Sequence, residues 1–393
     1  LFLTGVYERI LNADIESLYP SIMIQRAIAP AADTLGVFNP ILRELVRLRL
    51  DAKAAMHKAT TSGQRNKFDA LQSAFKNLIN SFYGYLGYSR ALWNDAAKAD
   101  EVTTFGQELL RAVIGKIDLY NGTVIEVDTD GVYFMVPDNV VGDQAEEAFV
   151  ERNSSSLPEG INLALTGRYR KMLSYKKKNY ALLGYDNELT IRGSSLISRS
   201  MERFARQFIR LAISRLLEPD LQGLHNVIVS YRESIIGHQW DVYDFCRTEI
   251  VHDSFDRYER DLAGGNRNPS AAYEVTRRAG LAIVPGDRIS YYVTGTGATV
   301  KVSEQSKLAS EWDPNFPDEN TAYYLGRLME CCKKFEDFFT PEDFRKLFST
   351  DDLFGFDSGS IQILNHRVEP TPSPPTPGEE GDEPEFRIWL DQS

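Results

Sequence analysis

Hydrophobic spacing divides the chain into strand-like and helix-like stretches. Residues 6–14 (VYERILNAD) read as a strand that ends on Asp14. Residues 40–59 (PILRELVRLRLDAKAAMHKA) carry apolar positions near helical spacing and predict a helix. The stretch Thr60 to Asn66 (TTSGQRN), with Gly63, predicts a turn, and a second helix is predicted from Lys67 to Phe82. Two long helices joined by a short turn form an antiparallel hairpin. A further helix is predicted over residues 100–120.

The run VIEVDTDGVYF (Val124 to Phe134) enters and leaves Asp128-Thr129-Asp130-Gly131 through β-branched residues, and predicts a tight β-hairpin. Residues 142–152 read as helix. KNYALLGYDNELTIRG (Lys178 to Gly193) predicts a second hairpin, turning at Tyr185-Asp186-Asn187. From about Arg199 to Tyr258 the pattern is mainly helical. A loop from Ala263 to Pro269, a short β unit around GDRISYYVTG and more helix follow. Val368 to Glu385 is Pro-rich and acidic, and holds too little apolar surface to fold. No internal repeat is present.

Composition and charge sharpen this. A chain of 393 residues is expected to form two or three domains, and 42% hydrophobic residues suffice for a soluble globular core. No apolar run approaches ~18 residues, so no transmembrane helix is expected. The chain begins at Leu1 without an initiator Met or signal peptide, which predicts a piece of a longer protein. Cys246, Cys331 and Cys332 form no CxxC pair, and the five histidines give no zinc pattern, so helix thiols in a reducing cytoplasm are expected. The net charge of −12 argues against nucleic acid, but its distribution does not. Residues 369–393 hold seven acids against Arg387, half of the net charge. Thr166 to Ala181 (TGRYRKMLSYKKKNYA) instead holds six cations and no acid, and local fields decide phosphate binding.

Several chemistries use an apolar strand ending in DTDG. A calcium loop of the EF-hand type needs Gly and Glu where Tyr133 and Asn139 stand. A phosphatase of the haloacid-dehalogenase type needs a parallel sheet around the motif, where a hairpin is predicted. A plain polar turn is the third reading. A second carboxylate, Asp14 in NADIESLYPSIMI (Asn12 to Ile24), also ends an apolar strand. Between the two sites lies the helical hairpin, with Arg49 and Lys53 four residues apart and Lys76 and Asn80 four apart, each pair on one helix face. Two carboxylate sites flanking cation-bearing helices fit phosphoryl transfer, in which carboxylates bridge two Mg²⁺ ions ~3.5–4 Å apart and helical cations neutralise a triphosphate.

At these residues the sequence resembles the family B DNA polymerases. DIESLYPS resembles that family's motif A, KNLINSFYG its motif B (KxxxNSxYG), DTDG its motif C (usually YxDTDS) and KKKNY (Lys176 to Tyr180) its KKxY element. The resemblance runs from about Val6 to Gly193. It implies an α+β right-hand polymerase: a ferredoxin-like antiparallel palm sheet at 1–33 and 91–198, helical-hairpin fingers at 34–90, a mainly helical thumb at 199–367 and a disordered tail at 368–393.

The resemblance also implies roles. Asp14 and Asp130 would be the principal ligands of two Mg²⁺ ions, with Asp128 the third carboxylate. Ser17, Leu18 and Tyr19 would line the triphosphate and sugar pocket, Tyr19 excluding a 2′-OH. Arg49, Lys53 and Lys76 would grip the triphosphate of a dNTP. Asn80 and Tyr83 would border the new base pair, and Gly84 would leave room for close approach. Lys177, Lys178, Tyr180 and Arg199 would contact primer–template DNA. The expected reaction is template-directed nucleotidyl transfer to a primer 3′-OH by a monomeric chain. Glu126 stands where the family has Tyr, Val127 where Gly is common and Gly131 where Ser follows the second Asp; SRSMERF keeps only Arg199 of an Arg-Arg-Asp element. These departures imply a divergent branch with weakened catalysis, and leave open an inactive homologue that binds DNA or a replication or repair partner. EFRIWLDQS (Glu385 to Ser393) is the candidate partner-docking tail. Asp14-Ile15-Glu16 also matches the DxE of a 3′–5′ exonuclease, a reading that the following SLYPS opposes.

Overall fold

The computed structural model describes residues 1–129, 131–348 and 356–368. The first strand, β1, spans Leu3–Ile15. Helix α1 follows at Leu18–Gln25 and α2 at Phe38–Lys58. Helix α3 spans Ser62–Gly87, so the turn expected over residues 60–66 is mostly helix. The reason is a cap: the Gln64 N–H donates to Thr61 Oγ1 (3.3 Å), and Thr-x-x-Gln is a capping-box sequence that tolerates Gly63. Helix α4 spans Ala96–Leu119, capped by Asp95, which accepts the Lys98 N–H (3.1 Å).

The expected hairpin is present as β2 (Thr123–Asp128) and β3 (Gly131–Met135), followed by α5 (Asp143–Ser154). Strand β4 (Leu163–Lys176) had no counterpart in the sequence pattern, yet it pairs along almost all of β1. Strands β5 (Asn179–Leu183) and β6 (Leu189–Arg192) form the second expected hairpin. The sheet order is β2-β3-β1-β4-β5-β6, with every pair antiparallel.

Period-two alternation gives this sheet two different faces. Leu11, Ala13 and Ile15 of β1, with Val124, Val132 and Phe134, pack under α1, α4 and α5 in one core. Farther along the sheet, Leu173, Ala181 and Leu183 pack under α6 (Arg203–Leu217), α7 (Leu221–Ile236) and a later helix over Thr321–Lys333. Helix α6 shows why: Phe204, Phe208, Ile209, Ala212, Ile213 and Leu216 recur at helical spacing and are all fully buried. The opposite face holds Ile10, Ile125, Tyr133, Met172, Tyr180 and Leu182, a cluster contributed by strands alone.

The α2–α3 hairpin is rooted in the first core by Phe38, Leu42, Ile79 and Leu86, and most of its remaining positions are exposed or half-buried. Beyond α7 come α8 (Val242–Phe245), β7 (Arg247–Ile250), α9 (Phe255–Ala263), α10 (Ala271–Arg278), β8 (Arg288–Val293) and β9 (Ser306–Leu308). They are followed by α11 (Thr321–Lys333), α12 (Pro341–Phe348) and β10 (His366–Arg367). Strands β7, β8 and β9 make a small second sheet in a region expected to be mainly helical, with one β unit. Glu202, 1% exposed at its side chain, joins this region internally: it pairs with Arg247 of β7 and Arg327 of α11. Strand β10 returns to pair with Leu3 and Thr4 of β1.

The three cysteines are buried and unpaired; Cys331 and Cys332 lie in α11 as expected, whereas Cys246 follows the end of α8 in extended backbone rather than within a helix. Among the described residues no helix is long and apolar enough to cross a membrane. Of the acidic tail expected over 368–393, only Val368 is among the described residues; its N–H donates to the Phe2 carbonyl (2.8 Å). The candidate docking tail lies outside them.

Candidate active site

Strand register brings two of the three predicted carboxylates to one level of the sheet. Asp14 of β1 is paired with Gly131 of β3, and Asp128 of β2 is paired with the same Gly131 from the other side. With neighbouring strands ~4.8 Å apart, their backbones stand about 10 Å apart across β3. Both lie on the strand-only face, in phase with Ile10 and Asn12 on β1 and with Glu126 on β2. A Cβ at Gly131 would collide with Asp14 Oδ1, so the glycine is what lets that carboxylate lie over β3. Thr129 takes a left-handed conformation in the connecting turn (φ 57°). Asp130, the third predicted carboxylate, lies outside the described residues.

Asn12, which the motifs did not single out, backs this pair, and Glu126, Tyr133 and Tyr180 stand behind it. Asn12 Nδ2 donates to Thr166 Oγ1 (3.0 Å) and lies 3.4 Å from Asp14 Oδ1. Alternation alone places Asn12 on the same face as Asp14, so this signal was in the sequence. Glu126, one level behind Asp128, is fully buried opposite Tyr133. Its burial raises its pKa, although the Lys178 backbone N–H, which donates to its Oε1, opposes that shift. Glu126 therefore adds no exposed charge beside the carboxylates. Tyr133 and Tyr180 share a hydroxyl–hydroxyl hydrogen bond (3.0 Å), and burial raises the pKa of both phenols.

The helical residues converge on the loop after Asp14 to different degrees. Arg49 Nη1 donates to Ser17 Oγ (2.9 Å), and Ser17 itself sits in the left-handed region (φ 47°) at the start of α1. The Arg49 Nε is buried without a partner among the described residues. Tyr19 and Tyr83 lie ring to ring, with centroids 4.3 Å apart, which joins α1 to α3. Burial first, then Tyr19 and Asp100, push the Tyr83 phenol up to about 12. Lys53, Lys76 and Asn80 are exposed. Gly84 has open space on its Cβ side. The Leu18 side chain, expected to line the pocket, is packed in the core instead.

The basic run is less basic in space than in sequence. Arg168 is paired with Glu146 (2.8 Å) and Glu147 (3.0 Å), Arg170 with Glu218, and Lys171 with Glu8 (3.1 Å). Lys178, at the β4–β5 turn, sets its Nζ 3.2 Å from Asp128 Oδ1 and so lies on the carboxylate site itself. Lys176 rests over the Tyr175 ring, and Lys177 and Arg199 are exposed. Tyr180 is buried on β5 and spends its hydroxyl on Tyr133, so its edge is not presented to solvent.

Asp14 and Asp128 offer hard oxygen donors of the kind Mg²⁺ takes, and Gly131 leaves the strand between them without a side chain. Among the described residues no group of three His, Cys, Asp or Glu gathers to hold a metal.

Comparison with known proteins follows the same outline. A family model described as DNA polymerase family B matches residues 25–336, a range that holds α2, α3, the β2–β3 hairpin and the β4–β5 turn. A DNA polymerase of Thermococcus sp. strain 9oN-7 is 26% identical over 350 residues, covering 82% of this chain and 44% of that protein. The DNA polymerase alpha catalytic subunit of Oryza sativa subsp. japonica is 23% identical over 320 residues, covering 74% of this chain and 20% of the subunit. The structure of the family B DNA polymerase from the hyperthermophilic archaeon Pyrobaculum calidifontis is similar in fold, with a TM-score of 0.65 at 20% identity over 85% of this chain and 46% of that one. The chain thus spans less than half the length of these archaeal relatives. With most of its length matched by the family model, the chain belongs to DNA polymerase family B.

Proposed function

We propose that this chain is the polymerase core of a longer DNA polymerase and transfers a nucleotidyl group from a dNTP to a primer 3′-OH under direction of a template. The observation that carries the reading is the shared register of Asp14 and Asp128 on Gly131, beside a helical hairpin whose Arg49 reaches back to Ser17. In this reading, residues 1–33 and 91–198 are the palm, 34–90 the fingers and 199–367 the thumb. Asp14 and Asp128, joined by Asp130, would hold Mg²⁺, which when bound supplies charge neutralisation at the reacting phosphate and the attacking hydroxyl.

The remaining work falls to the chain's own side chains. Asn12, tied to Thr166, steadies Asp14. Arg49, together with the exposed Lys53 and Lys76, meets the triphosphate and offsets charge as pyrophosphate leaves. Its bond to Ser17 keeps the guanidinium at the α1 entrance before substrate arrives. The Tyr19–Tyr83 pair forms the wall against which the sugar sits, with Tyr19 opposing a 2′-OH. Asn80 and Gly84 border the new base pair. The strand-only face, with Tyr7, Tyr133, Tyr169 and Tyr180, runs beneath the primer end, and Lys177 and Arg199 meet its phosphates.

The competing reading is a homologue that binds DNA without extending it, and the departures Glu126, Val127 and Gly131 around Asp128 favour it. Primer extension separates the two. With Mg²⁺ and dNTPs, the wild-type chain should add the nucleotide complementary to each template base. Tight primer–template binding with no extension would establish the non-catalytic homologue instead.

A further inference from the structure

The carboxyl of Glu126 stands where the family resemblance leads one to expect a tyrosine, and its surroundings give it a task. Strand β2 pairs with β3 through Val124–Phe134 and then Glu126–Tyr133, so Ile125 is an extra residue in the ladder. That bulge puts Glu126 and Ile125 on the same face and turns the carboxyl inward behind Asp128. Glu126 is 0% exposed. Its Oε1 accepts the backbone N–H of Lys178, and its Oε2 is buried without a partner among the described residues.

The other end of this contact is a two-residue turn. Lys176 of β4 pairs with Asn179 of β5, and Lys177 and Lys178 close the hairpin. Lys178 is left-handed (φ 60°), a conformation that costs free energy for a residue with a long side chain. From it, the Lys178 Nζ reaches Asp128 Oδ1 (3.2 Å) and Thr129 Oγ1 (3.4 Å). Glu126, the Lys178 backbone, the Lys178 ammonium and Asp128 therefore form a closed loop, with two residues of β2 at one side and the turn at the other. Without an acceptor at Glu126, the Lys178 N–H would be left unpaired, and the bond from Asn179 Nδ2 to the Lys177 carbonyl (2.8 Å) would hold the turn without its tie to β2.

We propose that Glu126 is a positioning residue that fastens the Lys177–Lys178 turn to strand β2 and thereby sets the Lys178 ammonium against Asp128. Glu126 touches neither substrate nor metal; it acts through Lys178. Since Lys178 borders the candidate carboxylates, this inference rests on the polymerase reading for its catalytic consequence, though not for the anchoring itself. A neutral acceptor serves the anchor as well as a charged one, so an amide in the same position is expected to replace the carboxyl.

Two readouts separate the inference from the reading it builds on. The turn is a run of three lysines, so trypsin reports its opening directly. Glu126→Met keeps the volume and removes the acceptor. Tryptic cleavage within Lys176–Lys178 should be about tenfold faster in the Met variant than in wild type, the equilibrium value of one hydrogen bond. Glu126→Gln should be cut at the wild-type rate. Single-turnover dNTP incorporation should fall about ten- to a hundredfold in the Met variant, with the dNTP KM unchanged, because a misplaced group costs rate rather than binding. Incorporation should recover in Glu126→Gln. On a Lys178→Ala background, Glu126→Met should cost little further rate, because the two residues act as one unit. Lys178→Ala alone reports that unit even if Glu126→Met does not fold. Equal cleavage of wild type and Glu126→Met, a Gln variant as impaired as Met, or full additivity with Lys178→Ala would each overturn the proposal. Faster cleavage in a chain that extends no primer would uphold the anchor and overturn the polymerase reading.

Discussion

Replacing Glu202 with Gln should loosen the region after residue 199 by a calculable amount. The carboxylate is 1% exposed and accepts from Arg247 Nε (2.7 Å), Arg327 Nε (3.2 Å) and Arg327 Nη2 (3.1 Å). Burial alone would raise its pKa, but Arg247 and Arg327 outweigh that and hold it below the ordinary value. Removing one partner from a buried ion pair costs about 3–5 kcal/mol. The two guanidinium groups are 28% and 21% exposed, and the Gln amide retains one acceptor, so the cost falls at or just below the bottom of that range. A loss of about 2–3 kcal/mol corresponds to a Tm drop of roughly 4–12 °C for a unit of this size. Urea melts followed by tryptophan fluorescence suit the test, since Trp240 packs against Tyr231 (4.9 Å) and Phe204 (6.3 Å). The pH dependence has a fixed sign. A depressed carboxylate contributes fully above its unfolded value near 4.5, and the contribution fades as pH falls through the folded value. The gap between wild type and Glu202→Gln should therefore be widest at neutral pH and close in acid. A gap below about 0.5 kcal/mol at pH 7, the scatter of ordinary surface substitutions, or one that widens in acid, would refute the reasoning.

Arg49→Ala should raise the dNTP KM about ten- to a hundredfold, the value of a charge-assisted hydrogen bond, in steady-state incorporation assays. Tyr19→Ala should weaken discrimination against ribonucleotides by at least about tenfold, read as the ratio of kcat/KM for dNTP and rNTP. The three cysteines should resist a thiol reagent at pH 8 in the folded chain and react on unfolding, because burial pushes Cys246 up to about 12 and Cys331 up to about 11.

The parts of the fold that alternate cleanly were readable from sequence. The end of β1 is such a part, with Leu11, Ala13 and Ile15 on one face and Ile10, Asn12 and Asp14 on the other, and helices α2 and α3 follow from helical spacing. Strand β4 was hidden because its middle is rich in cations, and those cations are neutralised by Glu146, Glu147, Glu218 and Glu8 from elsewhere in the chain. Strands β7 and β9 are only 4 and 3 residues long, too short to show a period. The N-cap at Thr61 was masked by Gly63. Glu126 resisted reading for a different reason. The bulge at Ile125 breaks the period of two, so no count along the sequence reveals which face the carboxyl takes. Tyr180 and Leu18 matched motif positions, but their side chains are spent on packing.

The central claim is that Asp14 and Asp128, on opposite sides of Gly131, belong to one nucleotidyl-transfer site. Single-nucleotide incorporation on a primer–template with Mg²⁺, measured under single-turnover conditions, tests it most directly. The account predicts template-matched incorporation by the wild-type chain, and a loss of at least about a thousandfold in rate, with primer–template affinity retained, in both Asp14→Ala and Asp128→Ala. Incorporation at the wild-type rate by either variant would contradict it.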